Sequence, residues 1–435
     1  MTAADLAIVT ALVFAWGTLS ARLERFDVTA PIAFVLAGLL LTHGPLAVLS
    51  VVPTHELVRD LADATLALVL FSDASRVSLR DVKADASLYA RLLGLSLPLT
   101  IGLGMLLALV LVAHLSIWLA LLVGAALAPT DAALGASLMV NPAVPARIRR
   151  LINVESGLND GIATPFVLVA IAGMEPAAQG PGLGGAVTEL LLGLLIGAAI
   201  GGAGGWAVNR ARRRGWTAEG FAGSAVLGLA VCAYASAVAL HGNGFVAAFV
   251  GGLAYGSLAG RPGMGLVPFV EEIGALLSLL VWSAFGAIAI VPALENLTWQ
   301  IIGYAVLSLT VIRMAPVALA LAGAGIGRTT VVFVGWFGPR GLASVVFALI
   351  ALEELGGPAA GRAVSVIAVT VLLSVLVHGA TADPLARRCG RSLGREAARA
   401  SRPGGPEMPT RRLIRGKPAA QPPEAMGGTG PPLPR

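Results

Sequence analysis

Charge is scarce in this chain: only 12% of its 435 residues are Asp, Glu, Lys or Arg, about half the ~25% usual in soluble domains. With 57% hydrophobic residues and a mean hydropathy of +0.84, that scarcity excludes an ordinary soluble domain and implies a polytopic membrane protein. Cysteine is nearly absent. Cys232 lies in an apolar segment and Cys389 in a basic one, which argues against a disulfide framework. The five histidines show no H-E-x-x-H or other metal spacing, so neither a zinc hydrolase nor a cofactor is expected. The first residues lack a basic n-region: Asp5 stands there, and Arg22 and Arg25 follow the first apolar run. This disfavours a cleaved signal peptide and favours an uncleaved helix that starts outside.

What the chain has in abundance is apolar runs near the ~20 residues that a spanning helix needs. About thirteen are separable, at 3–20, 30–50, 61–77, 88–113, 116–140, 151–174, 184–208, 220–240, 243–260, 268–292, 299–322, 329–352 and 362–386. The stretch 387–435 is rich in Pro, Gly and Arg and reads as a disordered basic cytoplasmic tail. With the N-terminus outside, the Lys and Arg residues fall in the inner loops or the tail. The exceptions are Arg59 and Arg362 in outer loops and Arg313 and Arg340 within spans. Such a bias fixes the expected orientation in the cell (inner) membrane. It also explains the basic pI of about 10.0 without nucleic acid, for which no role is expected.

The most informative stretch is Glu155-Ser156-Gly157-Leu158-Asn159-Asp160-Gly161, two carboxylates inside an otherwise apolar span. Charge in hydrocarbon costs several kcal/mol, so such residues face a cavity and mark an ion or proton path. Glu155 and Asn159 are four apart, as are Ser156 and Asp160, so each pair shares a helix face. One stripe offers a hydroxyl and a carboxylate, hard oxygen ligands for a small cation. The other sets an amide beside a carboxylate that needs a cationic partner. Asn159, unlike an acid, binds no proton.

Two spans are interrupted, one at Ala128-Pro129-Thr130-Asp131 and the other at Gly338-Pro339-Arg340-Gly341. Proline inside a span removes a donor and clashes with the preceding turn. Breaks at matching places in two halves point to a transporter site between inverted repeats. Here spans 1–6 and 8–13 form the repeats and span 7 connects them. A carboxylate at a break offsets converging helix N-termini and a guanidinium offsets converging C-termini, which suits Asp131 and Arg340 respectively. Burial disfavours the charged form of a carboxylate, so proton and cation compete for one group. Competition with alternating access gives exchange.

Together, Thr130-Asp131, E-S-G-L-N-D-G at 155–161 and G-P-R-G at 338–341 resemble the sodium/proton exchanger branch of the cation:proton antiporters, the bacterial NhaP type. The resemblance runs to about residue 386. It implies an all-α membrane domain over 1–386 with thirteen spans and two crossed discontinuous helices. It further implies a core domain including 61–174 and 268–386, and a dimerisation domain including 1–50 and 184–260 in a homodimer. By the same resemblance Asp160 alternately carries cation and proton, and Ser156 and Thr130 help ligate Na+ (or Li+ or K+). Asp131, at the crossing, and Asn159 are counted in the same cation/proton-binding set, and Glu155 pairs with Arg340 as a structural ion pair. Some members use a Glu in the third span. The match here is Asp73, one methylene shorter, which leaves open whether it meets the ion directly or through water. One-for-one electroneutral exchange and a part in pH homeostasis follow from the same likeness.

Other polar residues carry blander expectations. Arg313 is expected to snorkel from the inner end of its span, and Asp63 and Glu189 to be solvated. Glu271 and Glu272 are read as favouring a helix start, and His241 and His378 as uninvolved in pH sensing. Gly197, Gly201, Gly205 and Gly252 are read as permitting close helix packing. Two rival classes are an intramembrane aspartyl protease on Asp131 and Asp160, which lacks a G-x-G-D context, and a cation channel or uniporter on the same ligands.

Overall fold

A computed structural model of the chain describes residues 2–23, 28–43, 55–77, 85–135, 144–174, 182–355 and 357–399. Among them there are helices and no strands. The first six are α1 (Ala3–Leu23), α2 (Ala30–His43), α3 (His55–Ser75), α4 (Ala86–Leu111), α5 (Ile117–Ala126) and α6 (Ala146–Ala172). There follow α7 (Gly182–Arg213), α8 (Glu219–Ala239), α9 (Gly244–Leu258), α10 (Val267–Ile288) and α11 (Trp299–Ala320). The last three are α12 (Arg328–Trp336), α13 (Leu342–Leu355) and α14 (Gly357–Arg399).

Each expected apolar run carries helix, and local chemistry fixes several starts. Thr2 and Asp5 form a reciprocal cap on α1: Asp5 N donates to Thr2 Oγ1 (3.2 Å) and Thr2 N to Asp5 Oδ2 (2.8 Å). Ser116, Asn243 and Thr298 accept amides at the starts of α5, α9 and α11. Among the described residues, seven helices are long and apolar enough to cross a membrane, α1, α4, α7, α8, α10, α11 and α14, and α2, α5 and α9 are shorter apolar helices. The helices outside both groups include α3 and α6, whose carboxylates Asp73, Glu155 and Asp160 belong to the site described below. Large apolar side chains such as Phe14, Phe221 and Trp299 stand exposed on the outside. Such surface suits lipid and not water. α13 is the opposite case: its run from Leu342 to Ala351 is wholly buried, which makes it a central helix.

Helix contact in a membrane gains little from hydrophobicity, so close backbone approach matters more. α7 lies along α9 on a ladder of glycines four residues apart. A Cβ on Gly193, Gly197 or Gly201 would come within 2.4 Å of the backbone of Asn243, Ala247 or Gly251. Gly252 and Gly256 on α9 do the same against Phe71 and Ser75 of α3. Gly38 and Gly286 bring α2 and α10 together. The glycines therefore act in packing, as their spacing implies.

One expectation requires correction. α14 continues to Arg399, past the tail boundary expected at 387. Residues 387–399 hold five Arg and two Ala, which favour helix, and no Pro, whereas the Pro-rich composition begins after 400. The rest of the expected tail, 400–435, lies outside the described residues, as does the second half of the fifth run, 136–140.

The glycine ladder yields a test. Gly201→Val should destabilise the protein by about 1–3 kcal/mol through overpacking, read as a lower melting temperature in detergent. Gly102→Ala, where a Cβ meets nothing within 4 Å, should not lower it.

Candidate functional site: a carboxylate pocket at two broken helices

The interruptions after α5 and after α12 meet face to face. Asp131 N donates to Pro339 O (2.8 Å), so unwound backbone pairs with unwound backbone. The Asp131 carboxylate accepts from Leu342 N (3.4 Å), the first amide of α13, and Asp131 itself immediately precedes the 3₁₀ turn Ala132–Gly135. An anion at helix starts is favoured by the unpaired amides and by the helix dipole. Gly341 makes the approach possible: a Cβ there would lie 2.2–2.6 Å from the Asp131 side chain.

Arg340 treats the opposite ends. It is fully buried, and its guanidinium donates to Ala128 O (2.8 Å) and Pro129 O (3.3 Å) beyond the end of α5, and to Ser308 O (3.2 Å) beside the break in α11. Its own amide donates to Ser374 Oγ (2.7 Å) on α14. Ser374 Oγ is 3.2 Å from His378 Nδ1, and His378 Nε2 is 2.9 Å from Trp336 O at the end of α12. His378 Nδ1 also lies 2.9 Å from the carbonyl oxygen of Ser374, so both ring nitrogens face backbone carbonyls, one at Ser374 and one at Trp336. The pair Ser374 and His378, four apart on one face of α14, thus holds both edges of the second break. Their spacing was legible in the sequence, but the break they serve lies about forty residues away.

The ion pair expected between Glu155 and Arg340 is corrected. Glu155 pairs with Arg313, whose Nη2 lies 2.7 Å from Oε1 and 2.9 Å from Oε2. Arg313 is 1% exposed and does not snorkel. Its position one turn beyond the α11 break at Thr310 turns it inward. Gly338 leaves room for it, since a Cβ there would come within 2.6 Å of Arg313 Nε. Arg340 instead uses its donors on carbonyls that the breaks leave unpaired.

In front of the crossing lies a small pocket. It is lined by Asp73 of α3, Arg76 just past its end, Thr130 and Asp131 at the first break, and Asn153, Ser156, Gly157 and Asp160 of α6. Residues 153, 156, 157 and 160 follow helical spacing and share one face. Thr130 Oγ1 is 3.1 Å from Ser156 Oγ and accepts from Asn159 Nδ2 (2.7 Å). Asn159 is fully buried and orients Thr130 from behind; it does not line the pocket. Phe249 of α9 packs on α6 where Gly161 has no side chain. The structure therefore brings Asp160, Ser156, Thr130, Asp131 and Asp73 around one cavity. Arg76 and Asn153 join them, neither of which sequence reasoning singled out for the site. Arg76 was legible only as an orienting loop charge.

Elsewhere, Glu271 is buried and paired with Arg76, while Glu272 is exposed. Asp63 accepts from the Tyr234 hydroxyl of α8 (3.0 Å), so it is half-buried and bonded, where solvation was expected.

Comparisons with known proteins agree with this architecture. The profile of the family described as sodium/hydrogen exchanger, transmembrane, matches residues 8–388. A K(+)/H(+) antiporter, NhaP2 of Shewanella oneidensis, is 27% identical over 285 residues, 62% of this chain. The matched region spans 47% of that relative, about half its length. Among solved structures, the sodium proton antiporter MjNhaP1 of Methanocaldococcus jannaschii at pH 8 superposes with a TM-score of 0.73. The identity is 18%, covering 88% of this chain and 98% of that one. An electron-microscopy structure of the same protein gives a TM-score of 0.70.

Glu155→Gln or Arg313→Ala should each cost about 3–5 kcal/mol by stranding a buried charge. The double variant should recover part of that loss. Melting temperatures of the three purified variants check this; strict additivity would show that the pair is not coupled.

Proposed function

The chain belongs to the sodium/hydrogen exchanger family, and on that premise we propose that it is a secondary antiporter exchanging a monovalent cation for H+ by alternating access. The supporting observation is the pocket: Asp160, Ser156 and Thr130 present a carboxylate and two hydroxyls to one cavity beside unwound backbone. Such oxygens suit a hard monovalent cation, and the same carboxylate takes a proton when the cation leaves. Asp73 lines the same pocket and completes the ligand set, directly or through water. The solved relative is named for sodium and the curated relative for potassium, so Na+ is the first cation proposed and K+ and Li+ the comparisons.

Asp131 takes a structural part in this proposal. Its carboxylate serves the start of α13, which also argues against a protease dyad sharing one proton with Asp160. Saturable flux that collapses a proton gradient separates exchange from a channel. The proposal extends to a homodimer in the cell membrane, with the N-terminus outside and the basic C-terminal end inside. It retains the division into a core and a dimerisation domain. The distribution of Lys and Arg supports the orientation.

Two measurements in proteoliposomes test the reading, with Na+, K+ and Li+ added in turn. Asp160→Asn should reduce cation-driven proton movement to the level of empty vesicles while the purified protein keeps its fold. Near-normal exchange in that variant would remove Asp160 from the site. With one cycling carboxylate, exchange is one cation for one proton, and an imposed membrane potential should leave its rate unchanged. A rate driven or reversed by potential would require a second titrating group.

A further inference from the structure

Arg76 is an anomaly in a pocket read as a cation site. It is the basic residue among lining groups that include Asp73, Asp131 and Asp160. A fixed guanidinium in such a place opposes a transported cation and competes for the same carboxylates. Its amide donates to Asp73 O (3.2 Å), so Arg76 continues the turn that Asp73 opens at the end of α3, three residues on. That spacing puts the two side chains within reach of one another. Yet the guanidinium is directed elsewhere: Arg76 Nη2 donates to Glu271 Oε2 on α10. Both side chains are largely withdrawn from solvent, at 12% and 6% exposure, so the pairing is little screened.

We propose that Glu271 is a positioning residue for cation binding, which holds the Arg76 guanidinium on α10 and so limits its competition with the transported cation. The inference rests on the reading that this pocket binds that cation. With Glu271 ionised, the Arg76–Glu271 pair contributes no net charge at the pocket edge. Without it, one full positive charge faces the site and Asp73 becomes the acceptor nearest in sequence. Without Arg76, the reverse holds and Glu271 adds a negative charge that favours cations. Packing between α3 and α10 offers a plainer role, a clamp between helices. A clamp alone would change stability and the number of active transporters, hence Vmax. It would not change the cation KM in opposite directions for its two partners.

The test is the KM for Na+ and for K+ in proteoliposomes, with Vmax normalised to folded protein. Glu271→Gln should raise KM roughly tenfold, the scale of one uncompensated charge at pocket distances. Arg76→Gln should lower KM below wild type, and the double variant should return it to within about twofold. Unchanged KM values, or increases in both single variants that the double does not restore, would overturn the proposal. If Glu271→Gln fails to fold, Arg76→Gln and the double variant still decide, since KM must be lower in the former. Absence of exchange in the wild type would count against the antiport reading itself. Normal wild-type exchange with indifferent variants would count against this inference alone.

Discussion

Everything at this site depends on two interrupted helices meeting at their breaks. An α-helix end carries about half an elementary charge from its unpaired backbone groups. Two like ends brought together present about one charge, which a single ionised side chain can offset. Asp131 stands at helix starts and accepts from Leu342 N, while Arg340 donates to carbonyls beyond α5 and beside the α11 break. One backbone bond, Asp131 N to Pro339 O, fastens the two breaks together. The glycines of the second break are there for space: Gly341 admits Asp131 and Gly338 admits Arg313.

The crossing carries its own two charges, and Asp160 is the carboxylate of α6 that faces the pocket. Glu155, its neighbour on the adjacent stripe of α6, is consumed by Arg313. Asn159 is consumed by Thr130. The face toward the pocket then carries Ser156 and Asp160, with Thr130 and Asp73 opposite. In the proposed exchange, Asp131, Arg340 and the Glu155–Arg313 pair hold the fold while Asp160 is the group that cycles. If every carboxylate cycled, the crossing would lose its counter-charge at each turnover.

Much of this was legible in the sequence, for physical reasons. Carboxylates and prolines in apolar spans are costly, so Asp160, Glu155, Pro129 and Pro339 stood out against the background. The partner of Glu155 did not. Arg340 and Arg313 are both guanidinia in spans of the second half, and only the break at Thr310 reveals that Arg313 faces inward. Arg76 read as an orienting charge because a span end near basic loops gives no sign of a carboxylate 195 residues away. The reach of α14 to Arg399 was missed because the basic composition masked residues that still favour helix. Helix faces and local breaks are written in spacing; contacts between distant helices are not.

The central claim is that cation and proton compete for one carboxylate. The most direct measurement is proton release on cation binding to the purified protein in weakly buffered detergent solution, with no membrane or gradient. The account predicts saturable release approaching one proton per protomer as Na+ or K+ is added, abolished when Asp160 is replaced by Asn. Cation binding without proton release, or release that persists in that variant, would contradict it.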